Sequence, residues 1–197
     1  MKIFVLQALR GLCAVVALLA GAAAVSTTAH GFKQNQTGPG ATGPILKWDP
    51  VDMPIAWEVN PTPVSGVTGS QWQATFKKSM RTWMDLPGSD LDFCIIGTTN
   101  TAVQTNDSHN VLYCDNVATI GAGILALTNY IFNGSTGQLS DTDMVFNGKD
   151  FTWSAAFADE RANNPGVDTA YDLQSIMTHE LGHSIGFGHS ITGPGVV

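Results

Sequence analysis

Apolar and polar positions alternate from Ile55 to Val59, which is the period of a half-buried strand. A break over 61–69 follows, and from Ser70 the apolar side chains recur three or four residues apart, as on one face of a helix. These side chains are Trp72, Phe76, Met80 and Trp83. The sequence therefore predicts a strand, then a helix that ends before Pro87 and packs on a sheet.

Four strand-like segments come next, separated by turn-forming residues. They cover residues 91–96, 111–114, 123–132 and 139–146. After a turn around 163–166, a second helix is predicted to begin near Thr169, because Thr169 and Asp172 have the spacing of a capping box. The order of these elements predicts one α/β layered domain with a twisted sheet.

The first 31 residues have the layout of a secretory signal peptide. Lys2 and Arg10 come first, an apolar run of about 15 residues follows, and small residues close the segment. The run is shorter than the roughly 20 residues of a membrane-spanning helix. Cleavage is expected after Ala29 or Gly31, and an uncleaved anchor is the alternative.

Residues 32–47, rich in Gly, Pro, Gln and Asn, are predicted to be a flexible lead-in to a folded domain over 48–197. Without the signal peptide the chain keeps seven basic and sixteen acidic side chains, a net charge of about −9. An acidic surface repels phosphate backbones, so a nucleic-acid partner is not expected.

Cys94 and Cys114 are the cysteines outside the signal peptide, and an even number in an exported protein predicts a disulfide. Such a bridge would stabilise the fold by about 3 kcal/mol in the chain-entropy model. Two free thiols are the alternative. A zinc-binding role is disfavoured because no second cysteine lies within ligand spacing of either.

The segment HELGHSIGFGH, residues 179–189, carries the chemistry. His179 and His183 are four residues apart, so on a helix both imidazoles point to one metal ion. Glu180 is one step round from His179, where its carboxylate can take a proton from a water molecule at the metal.

A straight helix would carry the following residues away from that ion. Gly186 permits a sharp break, because glycine tolerates the left-handed backbone that ends helices. The chain can then return and bring in His189 as a third ligand. Three histidines and an open position are typical of a catalytic zinc site, not of a structural one. The alternative, three unrelated histidines on an amphipathic helix, requires a coincidence of spacing.

HELGHSIGFGH resembles the extended zinc signature of the metzincin peptidases, and the following Ser190 is typical of the matrixin branch. The resemblance covers roughly 48–190. It implies an α/β (α+β) catalytic domain with a twisted, mostly parallel sheet, an antiparallel edge strand, a backing helix and an active-site helix. It also implies one catalytic zinc held by His179, His183 and His189, with Glu180 as general base and acid.

The resemblance extends upstream to two strands. Gly123, Ile124, Leu125 and Ala126 are similar to the matrixin edge strand, which pairs with extended peptide substrate. The segment from Asp143 to Asn147 is similar to the next strand. An ordinary internal strand is the alternative for 123–132.

Metal ligands differ from the matrixin pattern. Animal matrixins hold a second, structural zinc on histidines in these strands, where this chain has Leu127 and Val145, so one zinc is expected. Asp141 and Asp143 offer oxygen ligands to calcium, although carboxylates in a turn are more commonly just solvated.

The cysteines are not placed for a cysteine-switch propeptide, so any latency works otherwise. The sequence ends eight residues after His189 and has no methionine there, whereas metzincins continue into a methionine-bearing turn and a final helix. Truncation before that turn, with most of the C-terminal subdomain missing, is therefore expected.

These observations predict a secreted zinc metalloendopeptidase that acts on polypeptides as a monomer, in the extracellular space or a periplasm, with no nucleic-acid partner and no membrane attachment once the signal peptide is removed. An inactive zinc-holding domain that binds peptides or a protein partner is the second hypothesis. A secreted structural domain without metal is the third.

Overall fold

The computed structural model describes residues 33–103, 105–117, 120–121, 123–156 and 170–189. The predicted signal peptide, the turn around 163–166, Thr169 and all residues after His189 lie outside this range.

The described chain contains eleven strands, two α-helices and a 3₁₀ turn at Pro50–Asp52. The helices are α1 (Gly69–Met84) and α2 (Leu173–Ser184). The strands are β1 (Lys33–Gln34), β2 (Gln36–Gly38), β3 (Thr42–Ile45), β4 (Ile55–Val59), β5 (Phe93–Thr98), β6 (Asn110–Asp115), β7 (Ala126–Phe132), β8 (Leu139–Asn147), β9 (Trp153–Ser154), β10 (Tyr171–Asp172) and β11 (Phe187–Gly188).

Five strands form the central sheet in the order β5-β4-β6-β8-β7. The first four are parallel, and β7 joins β8 in antiparallel orientation. Parallel neighbours need crossover connections, and α1 provides the one between β4 and β5. The prediction of a mostly parallel sheet with an antiparallel edge strand and two helices is confirmed.

Helix α1 forms where the hydrophobic period predicts it. Thr68 caps its start by accepting a hydrogen bond from the Gln71 backbone N–H, and the Gln71 side chain accepts one from the Thr68 backbone N–H, which completes a capping box. The aromatic stripe faces the sheet. Trp72 and Phe76 are fully buried and meet sheet side chains edge to face, as in the Phe76–Trp57 pair with ring centroids 5.4 Å apart.

The prediction of a flexible lead-in is wrong for residues 33–45, which contain three short strands. Strands β2 and β3 pair with each other, and β1 pairs with β11. Leu46, at the end of this segment, is only 1% exposed. Residues 33–46 are therefore part of the packed domain.

The predicted disulfide is also wrong, because Cys94 and Cys114 are both free thiols. Cys94 is level with Ala56 across the β4–β5 pair, whereas Cys114 lies two residues beyond Leu112, which is level with Val59. The two cysteines are thus roughly 16 Å apart along the strands, with β4 between them. A disulfide needs Cα atoms within about 7 Å.

Two element boundaries differ from the sequence prediction. Helix α2 begins at Leu173 with Asp172 as its N-cap, not near Thr169. Strand β7 begins at Ala126, so the predicted strand from Gly123 is wrong at its start. Among the described residues, no helix has the length and apolar character needed to cross a bilayer.

Asp141 and Asp143 lie in β8, with 1% and 2% of their surface exposed, and are not solvated turn carboxylates. Asp143 accepts backbone N–H groups of Thr105 at 2.8 Å and Val111 at 3.0 Å, and one Asp141 oxygen accepts that of Asp107 at 2.9 Å. These contacts hold the loop before β6 onto the sheet. With three of the four carboxylate oxygens engaged by main-chain donors, the arrangement does not support the calcium site considered above.

Burial raises the pKa of Asp143 to about 6, against the opposing effect of its main-chain hydrogen bonds. Because the folded state binds this proton more tightly than the unfolded chain, the associated stability is present below about pH 4 and lost as the pH rises through about 6. The free energy of unfolding should fall over this interval by up to about 3 kcal/mol.

Asp143→Asn should remove this pH-dependent fall in the free energy of unfolding, measured by denaturant titrations at a series of pH values. Asp92→Asn, at an exposed position, should keep it. An unchanged pH profile in Asp143→Asn would contradict the assignment.

Candidate active site

Helix α2 starts where Asp172 accepts the backbone N–H of Ser175 at 2.8 Å. Leu173, Met177 and Leu181 are fully buried and place one face of the helix in the core. His179 and His183 lie on α2 and share one helical face, whereas His189 lies beyond the end of the helix.

The main chain of α2 is also held by side chains from outside the helix. Trp83 of α1 donates its indole N–H to the Thr178 carbonyl at 2.8 Å. Trp48 donates to the Ser184 carbonyl at 2.9 Å, at the end of the helix. Because both acceptors flank the residues that carry the chemistry, α2 cannot slide or rotate without breaking these bonds.

The break after α2 occurs at Gly186, as the sequence predicts. Its φ of +94° is in the left-handed region, and its N–H donates to the His183 carbonyl at 2.9 Å. A Cβ at this position would lie 2.3 Å from the Leu46 carbonyl oxygen. Glycine is therefore required both for the backbone conformation and for the close approach of residue 46.

Strand β11 then carries the chain back toward the helix. It pairs with β1 through Lys33–Gly188 and Gln34–Phe187, and Asn35 donates its N–H to the Gly186 carbonyl at 2.8 Å. The N-terminal segment thus supports the short strand that directly precedes His189.

The three histidines lie together as a result. The Nε2 atoms of His179 and His189 are 3.0 Å apart, and His183 Nε2 is 3.1 Å from each of them. Nitrogens bound to one tetrahedral zinc ion at roughly 2.0–2.1 Å lie roughly 3.3 Å apart, so the trio fits zinc closely. Among the described residues this is also the one group of three or more metal-binding side chains close enough to share an ion.

Two further features suit metal binding. The other ring nitrogen of His183 lies 2.7 Å from the Phe187 carbonyl, and donation to that oxygen leaves Nε2 unprotonated. Burial, and then the neighbouring His183 and His189, lower the pKa of His179 to about 4. His179 is therefore neutral near pH 7, as a metal-binding imidazole must be.

Glu180 is buried, with 5% of its surface exposed, one helical step from the trio. The Thr128 hydroxyl lies 2.7 Å from Glu180 Oε2 and 3.1 Å from the Glu180 carbonyl, and the shorter contact is to the carboxylate. Burial raises the pKa of Glu180, opposed by the Thr128 hydrogen bond and by His189. A carboxylate in this environment is well suited to accept and return a proton.

A cleft of about 430 Å³ opens between β7 and the histidines. Its edge-strand side consists of Ile124, Ala126, Leu127, Thr128 and Tyr130, and its other side of Asn35, Glu180, His183, Gly188 and His189. Of the four residues predicted to contact a peptide, Ile124 and Ala126 line this cleft, whereas Gly123 and Leu125 do not.

The positions that hold histidines in animal matrixins pair directly in this chain. Leu127 and Val145 face each other across β7 and β8, and neither side chain binds metal. A separate hollow of about 460 Å³ contains His109, which lies 3.6 Å from Glu58. His109 is not part of the histidine trio.

Sequence reasoning missed three residues of this cleft. Thr128 and Tyr130 belong to a strand that was identified, but their contacts with Glu180 and Asn35 join residues 52 and 95 positions apart. Asn35 belongs to the segment predicted to be flexible. Its polar composition carries no periodic signal that could have indicated a place beside the histidines.

The site combines a two-histidine helix, a glycine turn that returns a third histidine, and a buried glutamate beside an edge strand. This combination is typical of zinc-dependent peptidases.

The matrixin family model matches residues 47–195, and the chain belongs to the matrixin family. Matrixins are zinc-binding metalloendopeptidases, typically secreted or extracellular, and such enzymes act on polypeptides. No curated protein matches the chain.

Gly186→Ala tests the turn that positions the third histidine. The substitution combines an unfavourable backbone conformation with a collision at Leu46, and it should destabilise the fold by on the order of 3 kcal/mol and weaken zinc binding. Chelator competition and thermal unfolding measure the two effects.

Gly88→Ala is the matched control, because Gly88 also has a positive φ, +80°, but has open space around it. It should cost only about 1–2 kcal/mol and leave zinc affinity unchanged. Equal zinc affinity in Gly186→Ala and Gly88→Ala would contradict the role assigned to the turn.

Proposed function

We propose that this protein is a secreted zinc metalloendopeptidase in which His179, His183 and His189 hold one zinc ion and Glu180 is the general base. The observation that carries the proposal is the opening of His183, His189 and the Glu180 side chain into one cleft beside an edge strand. The mutual distances of the imidazole nitrogens support zinc as the ion.

When bound, zinc supplies a Lewis acid that polarises the scissile carbonyl and makes a water molecule more acidic. The Glu180 carboxylate takes the proton from the attacking water. It then delivers that proton to the nitrogen of the leaving amine, so that peptide-bond cleavage requires no other acid. The raised pKa of Glu180 favours the first step, since a carboxylate with a higher pKa is a stronger base toward the water proton.

The peptide is expected to bind along β7. This strand ends the central sheet, and no described strand pairs with its outer edge. The N–H and C=O groups along an edge strand can hold the main chain of an extended peptide of any sequence, while the cleft selects side chains. A sequence-tolerant endopeptidase needs this combination.

Thr128 orients the base. Its hydroxyl hydrogen bond to Oε2 restrains the Glu180 carboxylate rotamer, and it comes from the strand that also holds the peptide. The base and the substrate therefore share one support, which favours the short proton-transfer distances that general base catalysis needs.

We also propose that the predicted signal peptide exports the protein and that it acts outside the cytoplasm. The acidic composition and the typical location of matrixins are consistent with it.

Glu180→Gln tests the function directly. The amide keeps the side-chain volume and can still accept from Thr128, but it cannot accept the proton, so turnover of casein should fall by about 10²–10⁴-fold. Zinc content should remain that of the wild type.

Casein cleavage by the wild type should stop when a zinc chelator is added and return when zinc is added back.

If Glu180→Gln loses both its zinc and its turnover, Glu180 is a structural residue, and its role as the base is contradicted. A wild-type protein that binds zinc but cleaves no unfolded polypeptide would instead support the second hypothesis, a domain that binds peptides or a protein partner.

Thr128→Val removes the hydroxyl and keeps the branched shape. We expect kcat for a peptide substrate to fall by about tenfold with little change in KM, because the peptide-binding main chain of β7 is unaltered. Thr128→Ser, which retains the hydroxyl, should keep most of the activity. Equal kcat values for the Val and Ser variants would contradict the orienting role.

A further inference from the structure

The end of the cleft beside His189 contains Asn35, a residue outside the proposed machinery. Its main chain is fixed on both sides: the Asn35 N–H donates to the Gly186 carbonyl at 2.8 Å, and its carbonyl accepts from the Leu46 N–H at 2.9 Å. These two bonds place residue 35 beside β11, the strand that precedes His189. Because both are main-chain bonds, the backbone position of residue 35 does not depend on its side chain.

The carboxamide of Asn35 lies directly over Gly188. A Cβ on Gly188 would come within 2.2 Å of Asn35 Oδ1 and 3.1 Å of Nδ2. Glycine at position 188 thus leaves the room that the carboxamide occupies. From there Asn35 Nδ2 donates to the Tyr130 hydroxyl at 3.3 Å.

This hydrogen bond joins the two walls of the cleft. Gly188 and His189 belong to the wall that carries the third histidine, and Tyr130 belongs to the edge strand. The opposite end of the same cleft, at Ile124, has no corresponding bridge among its described lining residues. Among the described residues, the bridge at Tyr130 thus distinguishes this end of the cleft from the end at Ile124.

We propose that Asn35 and Tyr130 form a clasp that determines specificity by restricting how far a bound peptide extends past this end of the cleft. The inference rests on the proposed peptidase function. Substrates with few residues on the clasp side bind without disturbing it. A longer peptide must part the carboxamide from the hydroxyl, which costs about a fivefold factor in binding for one net hydrogen bond between neutral groups.

Which side of the substrate the clasp restricts depends on the direction in which the peptide binds. Tyr130 lies toward the C-terminal end of β7, which runs from Ala126 to Phe132. A peptide that adds antiparallel to β7 therefore presents the residues before its scissile bond to the clasp. A peptide that adds parallel presents the residues after that bond. Either way only one side of the substrate is affected.

Two series of synthetic peptides around one cleaved bond test the clasp, one lengthened before that bond and one after it. Specificity is measured as the ratio of kcat/KM between long and short members. Asn35→Ala and Tyr130→Phe should each raise this ratio about fivefold in one series and leave the other unchanged. Gln34→Ala, an exposed neighbour on β1, is the control and should behave as the wild type. Zinc content is measured for every variant.

An unchanged ratio in both series, or equal changes in both, would overturn the clasp. If Asn35→Ala loses zinc, Tyr130→Phe decides alone, because it removes a single hydroxyl that takes no part in the main-chain bonds of residue 35. If the wild type holds zinc but cleaves nothing, the proposed function fails separately. The clasp is then tested by the dissociation constants of the same peptides on the zinc-loaded protein. The variants should change the long-to-short ratio of these constants about fivefold in one series. An unchanged ratio, or equal changes in both series, would overturn the clasp.

Discussion

The approach of Gly186 to the Leu46 carbonyl is the contact on which the candidate site depends. There is no space for a side chain between these two main-chain segments, and the positive φ of Gly186 turns the chain at that point. Without this turn, residues 187–189 would continue away from α2. The third histidine is therefore positioned by main-chain packing, not by its own side-chain contacts.

The N-terminal segment and the zinc helix consequently stabilise each other. Strand β1 pairs with β11, Leu46 packs against the turn, and Trp48 donates to the last turn of α2. Helix α1 also holds α2 through Trp83, and β7 reaches Glu180 through Thr128. The candidate catalytic groups are thus held by several elements, which preorganises them before substrate or metal binds.

The sequence predicted the parts of the fold that rest on local periodicity. Alternation identified β4, and the aromatic stripe identified α1, because each pattern reports burial of one face. The spacing of the histidines predicted which side chains meet. The cysteine pairing failed because it depends on strand register, which the sequence does not reveal. Asn35 was missed because its partners are main-chain groups and a distant tyrosine.

Zinc stoichiometry measured by native mass spectrometry on the purified protein tests the central claim most directly. We expect one zinc per chain at neutral pH. Zinc binding should be lost or markedly weakened in His189→Ala, because His189 reaches the site only through the glycine turn. A wild-type protein that binds no zinc, or a His189→Ala variant that binds it as tightly as the wild type, would contradict the claim that these three histidines form the metal centre.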